Sequence, residues 1–553
     1  MRVLVLGGYG TFGGRLIRLL ADESRLTLIC AGRTLERAQS FAKEAAGEAD
    51  VLPARIDRND DLCAALTEWE PGLIVDATGP FQVYGDAPYR VVEAAIAAGI
   101  DYVDLADGAE FVAGIAGFDT AAKDKDVTVI SGASTFPALS FAVIRDLTRG
   151  WQRVEGVEMG LSPSPKAGLG RNVIEAILSY AGKPVPFLEG GTVKTAPALV
   201  DSRRHVIAPP GIEPLTPLRF SLIDIPDQTL MPEQFSDLQK LWPGVATRPQ
   251  ILLRGLNCLG RLVQWGVMRS LSPFAGLSFW AMNQVPFGAH RGGMFVRVEG
   301  LDETGQSRVR EWHMMAEGDD GPDIPTIAVA AQVRRQLAGE ELPTGARPAT
   351  EDFSLGDYEQ VFATKQITAR IRDTPPENAS LYKKMLNSAW PDTPEPIRAL
   401  HTDTDGRVVR GEARVDRGRN PLAKLVGAII GFPKAGEAVP VEVRFTHRDG
   451  GELWQRSFDG RPFESFQKEG TGSFQHLLSE RFGPLEFALA LILKDDKLWL
   501  KTMGWRAFGI PMPRFLAPSG DAYEHVVDGR FNFHVKIRHW MTGLIVRYRG
   551  WLA

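Results

Sequence analysis

Three glycines recur at regular spacing near the start of the chain: Gly7, Gly10 and Gly13, in Val3-Leu-Val-Leu-Gly-Gly-Tyr-Gly-Thr-Phe-Gly13. A glycine turn bends sharply and lets another molecule approach the backbone with no Cβ in the way. A helix that opens at such a turn aims unpaired N–H groups and its positive dipole end at the newcomer, which suits a pyrophosphate. About twenty residues past Gly13 comes Cys30-Ala-Gly-Arg33-Thr34. A site for NAD(H) places Asp or Glu here to hold the ribose 2′-hydroxyl. This chain has neither, and the planar fork of Arg33 can grip a 2′-phosphate instead. The expected ligand is therefore NADP(H) in preference to NAD(H), with Arg37 one helical turn further on as an assistant.

Residues able to move a proton follow. Tyr84, Asp104, Asp107 and Glu110 fall at or after strand ends, and each would serve equally as a turn or cap residue. His290 and Arg291, in Pro286-Phe-Gly-Ala-His-Arg-Gly-Gly293, have glycines around them that would admit a ligand. Tyr84, Asp107 and His290 are the catalytic candidates, and no single proton donor stands out. None of the nine tyrosines has lysine four residues on, so the Tyr-x-x-x-Lys carbonyl reductases are set aside. The nine histidines and three cysteines lack metal-ligand spacing, and no metal is expected.

These residues need elements to position them. Short apolar runs at Arg2–Leu6, Leu26–Ala31, Val51–Arg55, Leu73–Ala77, Tyr102–Leu105 and Val127–Ser131 alternate with helical patterns, the mark of βαβ units. Residues 1–145 should form a doubly wound parallel sheet, a Rossmann domain, with ligands at the strand C-termini. The helix expected over Pro325–Leu337 should return to it, so that 322–345 completes the domain. Between them, 146–321 reads as an inserted α+β domain for substrate or dimerisation. Residues 346–376, ending in Thr374-Pro375-Pro376, read as a linker. From 377 to 553 the pattern turns mainly to antiparallel β. The turn signals Asp449-Gly450, Asp495-Asp496 and Asp528-Gly529 each sit between apolar runs. The tryptophans of this last part are expected to be sheet core, with an enclosed apolar cavity as the alternative.

Composition narrows the class. The chain has 553 residues, 44% hydrophobic and 24% charged, with net charge −5. That length implies several domains, and the charge gives no reason to expect nucleic acid as a partner. Three scattered cysteines fit a reducing compartment, and Met1 leads straight into a strand with no leader-like stretch, so a cytoplasmic location is expected. One segment stands apart. In 251–271 the only charges are Arg254, Arg261 and Arg269, spaced to share one helical face opposite Leu252, Leu256, Leu259, Val263 and Val267. It reads as a half-buried helix, with weak peripheral contact to an anionic membrane as the alternative.

The glycine turn, Ala31-Gly-Arg33, Asp76-Ala-Thr-Gly-Pro-Phe81, Tyr84-Gly85, Ala98-Gly-Ile-Asp-Tyr-Val-Asp104 and Ser131-Gly-Ala-Ser-Thr-Phe-Pro137 together resemble the saccharopine dehydrogenase-like family. The resemblance extends more loosely to about residue 345. It implies an NADP-binding oxidoreductase domain with a substrate or dimerisation domain inserted, and it leaves the substrate open. Carried over by position, Gly7, Tyr9, Gly10, Thr11, Phe12 and Gly13 would line the pyrophosphate and Arg33 the 2′-phosphate. Asp57 would lie near the adenine, and Ala77, Thr78, Gly79 and Pro80 beside the nicotinamide ribose. The family's Gly-Glu after the fifth strand is replaced here by Ala106-Asp107-Gly108-Ala109-Glu110. Arg481-Phe-Gly-Pro484, Gly529-Arg-Phe-Asn-Phe533 and Val546-Arg-Tyr-Arg-Gly-Trp551 resemble a bacterial C-terminal domain of unknown function.

The expected function is reversible hydride transfer between NADP(H) and the imine, carbonyl or enoyl group of a small molecule, in a chain that could pair as a homodimer. Two alternatives stay open: a non-catalytic NADP(H)-binding or redox-sensing protein, and a membrane-surface lipid-handling protein.

Overall fold

The computed structural model describes the chain except residues 46, 169, 216 and 285–287, and gives the backbone alone at 83, 171, 172, 281–284 and 429. The chain forms two compact units. Met1–Arg204 with Arg219–Thr368 make the first, and His205–Leu218 with Ala369–Ala553 the second.

In the first unit six parallel strands follow the glycine-turn pattern: β1 (Arg2–Leu6), β2 (Thr27–Gly32), β3 (Asp50–Arg55), β4 (Leu73–Asp76), β5 (Asp101–Asp104) and β6 (Thr128–Ser131). Their order across the sheet is β3-β2-β1-β4-β5-β6. Val3–Leu6 and Leu73–Asp76 are wholly buried, as central strands covered on both faces must be. The first helix, Thr11–Leu20, lays Leu16, Ile17 and Leu20 against the sheet. Chain order reverses between β1 and β4, so a crevice opens at their C-terminal ends, where the glycine turn lies. This is the doubly wound α/β sheet that the periodicity implied.

The helix Ile327–Leu337 does return to this sheet, and a seventh parallel strand, Gly345–Pro348, pairs with β6. Residues 346–376 are therefore not a linker. They hold the end of that strand, the helix Leu355–Phe362 with a Ser354/Asp357 capping box, and the strand Ile367–Asp373. The Ser-x-x-Asp spacing was a helix signal in plain view, outweighed by the prolines downstream. The inserted region builds a mixed sheet around Arg153–Ser162, which runs parallel to Lys240–Val245 and antiparallel to Arg291–Leu301. Not all of 146–321 belongs to it. Residues 205–218 pack within the second unit, where Arg372 donates to the Ala208 carbonyl at 3.0 Å and Lys501 pairs with Glu213 at 2.7 Å.

The second unit is a ten-stranded antiparallel barrel, closed by pairing of Leu485–Lys494 with Lys497–Ala507. Each predicted hairpin forms. Asp449, Gly450, Asp495, Asp496, Asp528 and Gly529 all take positive φ, the geometry of a two-residue turn whose twist matches its strands. Helices Leu381–Leu386 and Glu395–Leu400 contribute Tyr382, Leu386 and Ile397 to the same core as Phe445, Trp454 and Phe458. The core is packed with aromatic rings. Trp454 is buried, whereas Trp540 stands in solvent.

The return of the chain to the first sheet is locked by Arg15 on the first helix. Its guanidinium donates to Asp323 Oδ1 at 2.8 Å and Asp319 Oδ2 at 2.9 Å, and Lys365 holds Asp323 from the other side at 2.6 Å. Arg15 and Asp323 are largely shielded from water, so the pair keeps more of its strength than a surface ion pair. Replacing Arg15 by Ala should cost about 1–3 kcal/mol in urea unfolding, the scale of a charge-assisted hydrogen bond lost from such a place. A loss under a few tenths would show that the lock contributes nothing.

Candidate functional site

The turn after β1 cannot be built with side chains. Gly7 has φ +76°, and a Cβ on it would stand 2.8 Å from the carbonyl oxygen of Ala77. A Cβ on Gly13 would lie 2.4 Å from the Gly7 carbonyl oxygen. The Gly10 amide donates back to Gly7 at 2.8 Å and closes the bend. Gly10 is the N-cap of the first helix, no side chain caps that opening, and its first turn has no acidic residue. The amides there are left to an anion. Ala77 lies half-buried against the turn, and Thr78, Gly79 and Pro80 follow it, also half-buried, at the β4 end.

The other rim is cationic. Arg33 and Arg37 are exposed just past β2, and among the described residues Arg33 makes no ion pair or hydrogen bond. The backbone of Tyr9 is part of the turn, and its side chain reaches to this rim. Its ring lies on Gly32, where a Cβ would meet it at 2.4 Å, and its hydroxyl accepts the Thr34 amide at 2.9 Å. Arg37 sits 4.9 Å from the ring centroid. Asp57, just past β3, uses its carboxylate to accept the Asn59 amide. An uncapped helix opening, a side-chain-free turn and an unpaired arginine form a donor set that fits a dinucleotide with an extra phosphate.

At the tips of β4 and β5 two buried carboxyls organise the floor. Asp76 accepts the Thr78 amide and hydroxyl at 2.9 and 2.6 Å, and burial raises its pKa. Asp104 accepts the amides of Ala106 at 2.9 Å and Gly132 at 2.7 Å, and the Tyr102 hydroxyl at 3.1 Å. Burial, opposed by those amides, pushes Asp104 up to about 7. It ties the β5 and β6 loops together and is a positioning residue.

Among the described residues no hydrogen bond or ion pair links the three catalytic candidates to one another. Tyr84 is committed to Thr78, at 2.7 Å, and to Asp76. Burial and the Asp76 charge hold its phenol far above the usual range, which makes it a poor acid. Asp107 is exposed and takes a hydrogen bond from Gln82 at 2.9 Å. His290 is half-buried, with Nε2 unpartnered, beside the Arg291–Glu317 ion pair. Pro286 and Phe287 of its motif lie outside the described residues. Sequence reading missed Asp224 and Tyr180, which come from the inserted domain and share electrostatic reach with Asp107. Burial, then Glu110 and Asp107, raises Asp224 to about 6. Their separation in sequence leaves no spacing signal.

Beyond the helix opening lies a cavity of about 440 Å³. Thr11, Phe12 and Thr135 form its near wall, and Val173, Ile174, Ile177 and Leu178 of the helix Arg171–Tyr180 another. Leu252, Leu253, Leu256 and Leu259 of the helix Gln250–Gln264 complete it, with Gly292 and Gly293 beside them. The glycines after His290 thus do face a space for a ligand. Hydroxyls interrupt this apolar lining, and two of them, Ser162 Oγ and Thr247 Oγ1, have no hydrogen-bond partner among the described residues.

Asp104 supplies a pH test. Unfolded, an aspartate titrates near 4, whereas Asp104 in the fold holds its proton up to about 7. Between those values the native state binds more protons, so this contribution is full below about pH 4 and falls away as pH rises through about 7. Asp104→Asn keeps one oxygen for the amides and cannot ionise. The variant should melt above the parent at about pH 8 and vary less between about pH 5 and 8. A steeper dependence in the variant would contradict this.

Comparison with known proteins follows the same division. Residues 3–130 match the family model described as the saccharopine dehydrogenase NADP binding domain, and residues 394–552 that described as a domain of unknown function, DUF4166. No curated protein matches the chain. Among solved structures, it is similar to apo saccharopine dehydrogenase (L-Glu forming) from Saccharomyces cerevisiae at 14% identity and TM-score 0.48, over 68% of this chain and 100% of that one. It is also similar to the WlbA (WbpB) dehydrogenase from Thermus thermophilus in complex with NAD and alpha-ketoglutarate, at 12% identity and TM-score 0.29, over 65% and 94% of the two chains. The chain thus joins a segment near its start that matches the saccharopine dehydrogenase NADP binding domain model to a later one that matches the DUF4166 model.

Proposed function

We propose that the protein is an NADP(H)-dependent oxidoreductase that moves hydride to or from an imine, carbonyl or enoyl carbon of a largely apolar substrate. The observation that carries this reading is a shared wall. Thr11 and Phe12 open the phosphate-binding helix and also line the apolar cavity, so a dinucleotide seated on the turn would end beside that cavity. NADPH, when bound, supplies hydride. The amides of the first helix would hold its bridging phosphates, and Arg33 with Arg37 its 2′-phosphate.

The chain's own residues do the remaining work. The leucine and isoleucine walls exclude water and hold the hydrocarbon part of the substrate. Ser162 and Thr247 offer hydroxyls that can fix a polar atom of the substrate near the reacting carbon. Asp224 can carry a proton near neutrality on the β5-loop side. Asp104 keeps the β5 and β6 loops in register with the crevice.

Arg33→Ala tests the cofactor. NADPH affinity should weaken by about 1–3 kcal/mol, while NADH affinity stays unchanged, because only NADPH has the phosphate that the guanidinium grips. Equal losses for both nucleotides would remove the argument. Nicotinamide absorbance should fall when enoyl, keto or imine substrates with long apolar tails are supplied. Tight binding with no turnover across all three would favour a non-catalytic nucleotide sensor.

A further inference from the structure

The outer side of the cavity's helical wall is bare. The helix Gln250–Gln264 ends seven residues before the expected segment 251–271 does, so Val267 and Arg269 lie in the connection to the helix Ala275–Gln284. The apolar face expected to be buried is split. Leu253 is buried, and Leu252 and Leu256 turn to the cavity. Trp265, Val267, Leu277 and Trp280 are 68, 69, 63 and 61% exposed, and Ile251, on the rim of the cavity, is 67% exposed. Five large apolar side chains this open in one sequence stretch far exceed the scattered singles of an ordinary surface.

Charge says what covers them. Between Asp237 and Glu299 the chain has no acidic residue, and Arg254, Arg261 and Arg269 are exposed among these apolar groups. Interfacial helices combine tryptophan and aliphatic residues below the headgroups with arginines at phosphate level. A water-soluble partner of mixed charge has no need of that pairing, whereas an anionic lipid surface meets both halves. No described helix is long and apolar enough to cross a membrane, so contact through these helices would be from one side. The helix Gln250–Gln264 also lines the cavity, with Leu256 and Leu259 in the same lining as Ile174 and Ile177. The fully buried Ser162 hydroxyl waits there without a partner.

We infer that the exposed face of the Gln250–Gln264 and Ala275–Gln284 helices docks on an anionic phospholipid bilayer, and that the cavity behind it receives the hydrocarbon chain of a membrane-resident substrate. The docking half stands alone. The substrate half rests on the oxidoreductase reading above.

Flotation of the full chain with vesicles of phosphatidylcholine, with or without phosphatidylglycerol, tests it. The chain should float with the anionic vesicles at low salt and far less with the neutral ones. Trp265→Ala with Trp280→Ala should cut the bound fraction at least tenfold. Arg254→Ala with Arg261→Ala should weaken binding about twenty-five-fold, about fivefold being expected for each charge near such a surface. Both double variants should keep the parent's melting temperature and NADPH affinity, because these side chains point to solvent. A parent that stays with neither vesicle, or variants that float as the parent does, would overturn the proposal. So would a dimer in sedimentation that the tryptophan variants dissolve, for the face would then be a self-interface. Vesicle binding without any NADPH binding would uphold docking and overturn the oxidoreductase reading with its substrate half.

Discussion

The carbonyl oxygen of Ala77 occupies the space that any side chain on Gly7 would need. That contact, at the point where the order of the sheet reverses, is the constraint from which the site follows. It brings the ends of β1 and β4 together and forces the backbone through a left-handed turn. It also starts the first helix with its amides uncapped. Gly13, pressed against the Gly7 carbonyl, lets that helix begin immediately. Larger residues at either position would move the helix away from the crevice and close the opening that an anion needs.

Two environments grow from this point in opposite directions. Toward β2 the surface is polar and cationic, with Tyr9 filling the hollow over Gly32 and Arg33 left unpaired. Toward the inserted domain the wall becomes apolar within one helical turn, beginning at Phe12. Between them, Asp76 and Asp104 are buried acids whose hydrogen bonds position the loops after β4, β5 and β6. Their burial costs stability that a neutral isostere would restore, which is the pattern of residues kept for geometry.

Much of this was legible in the sequence where chemistry is local. The six strands fall within a residue of their expected bounds, because buried parallel strands announce themselves as apolar runs. The three Asp/Gly hairpins needed only two residues each to be read. What failed was non-local. Residues 205–218 group with the barrel through contacts to residues far downstream, such as Leu493, which no window of sequence contains. The stretch after 345 looked like a linker since its prolines spoke louder than a single capping box. In 251–271 helical periodicity was real, but periodicity does not say which face meets protein, and the helix stopped at Gln264. That the Tyr9 ring lies over Gly32 is likewise a contact between elements far apart in sequence.

On the function proposed above, the glycine turn and the unpaired Arg33 together select a phosphorylated dinucleotide. Equilibrium titration of the unaltered chain with NADPH and with NADH, followed by nicotinamide fluorescence, tests it most directly. Saturable binding of both is expected, with NADPH the tighter by about tenfold or more, in line with one charge-assisted phosphate contact. Tighter binding of NADH, or no binding of either, would contradict it.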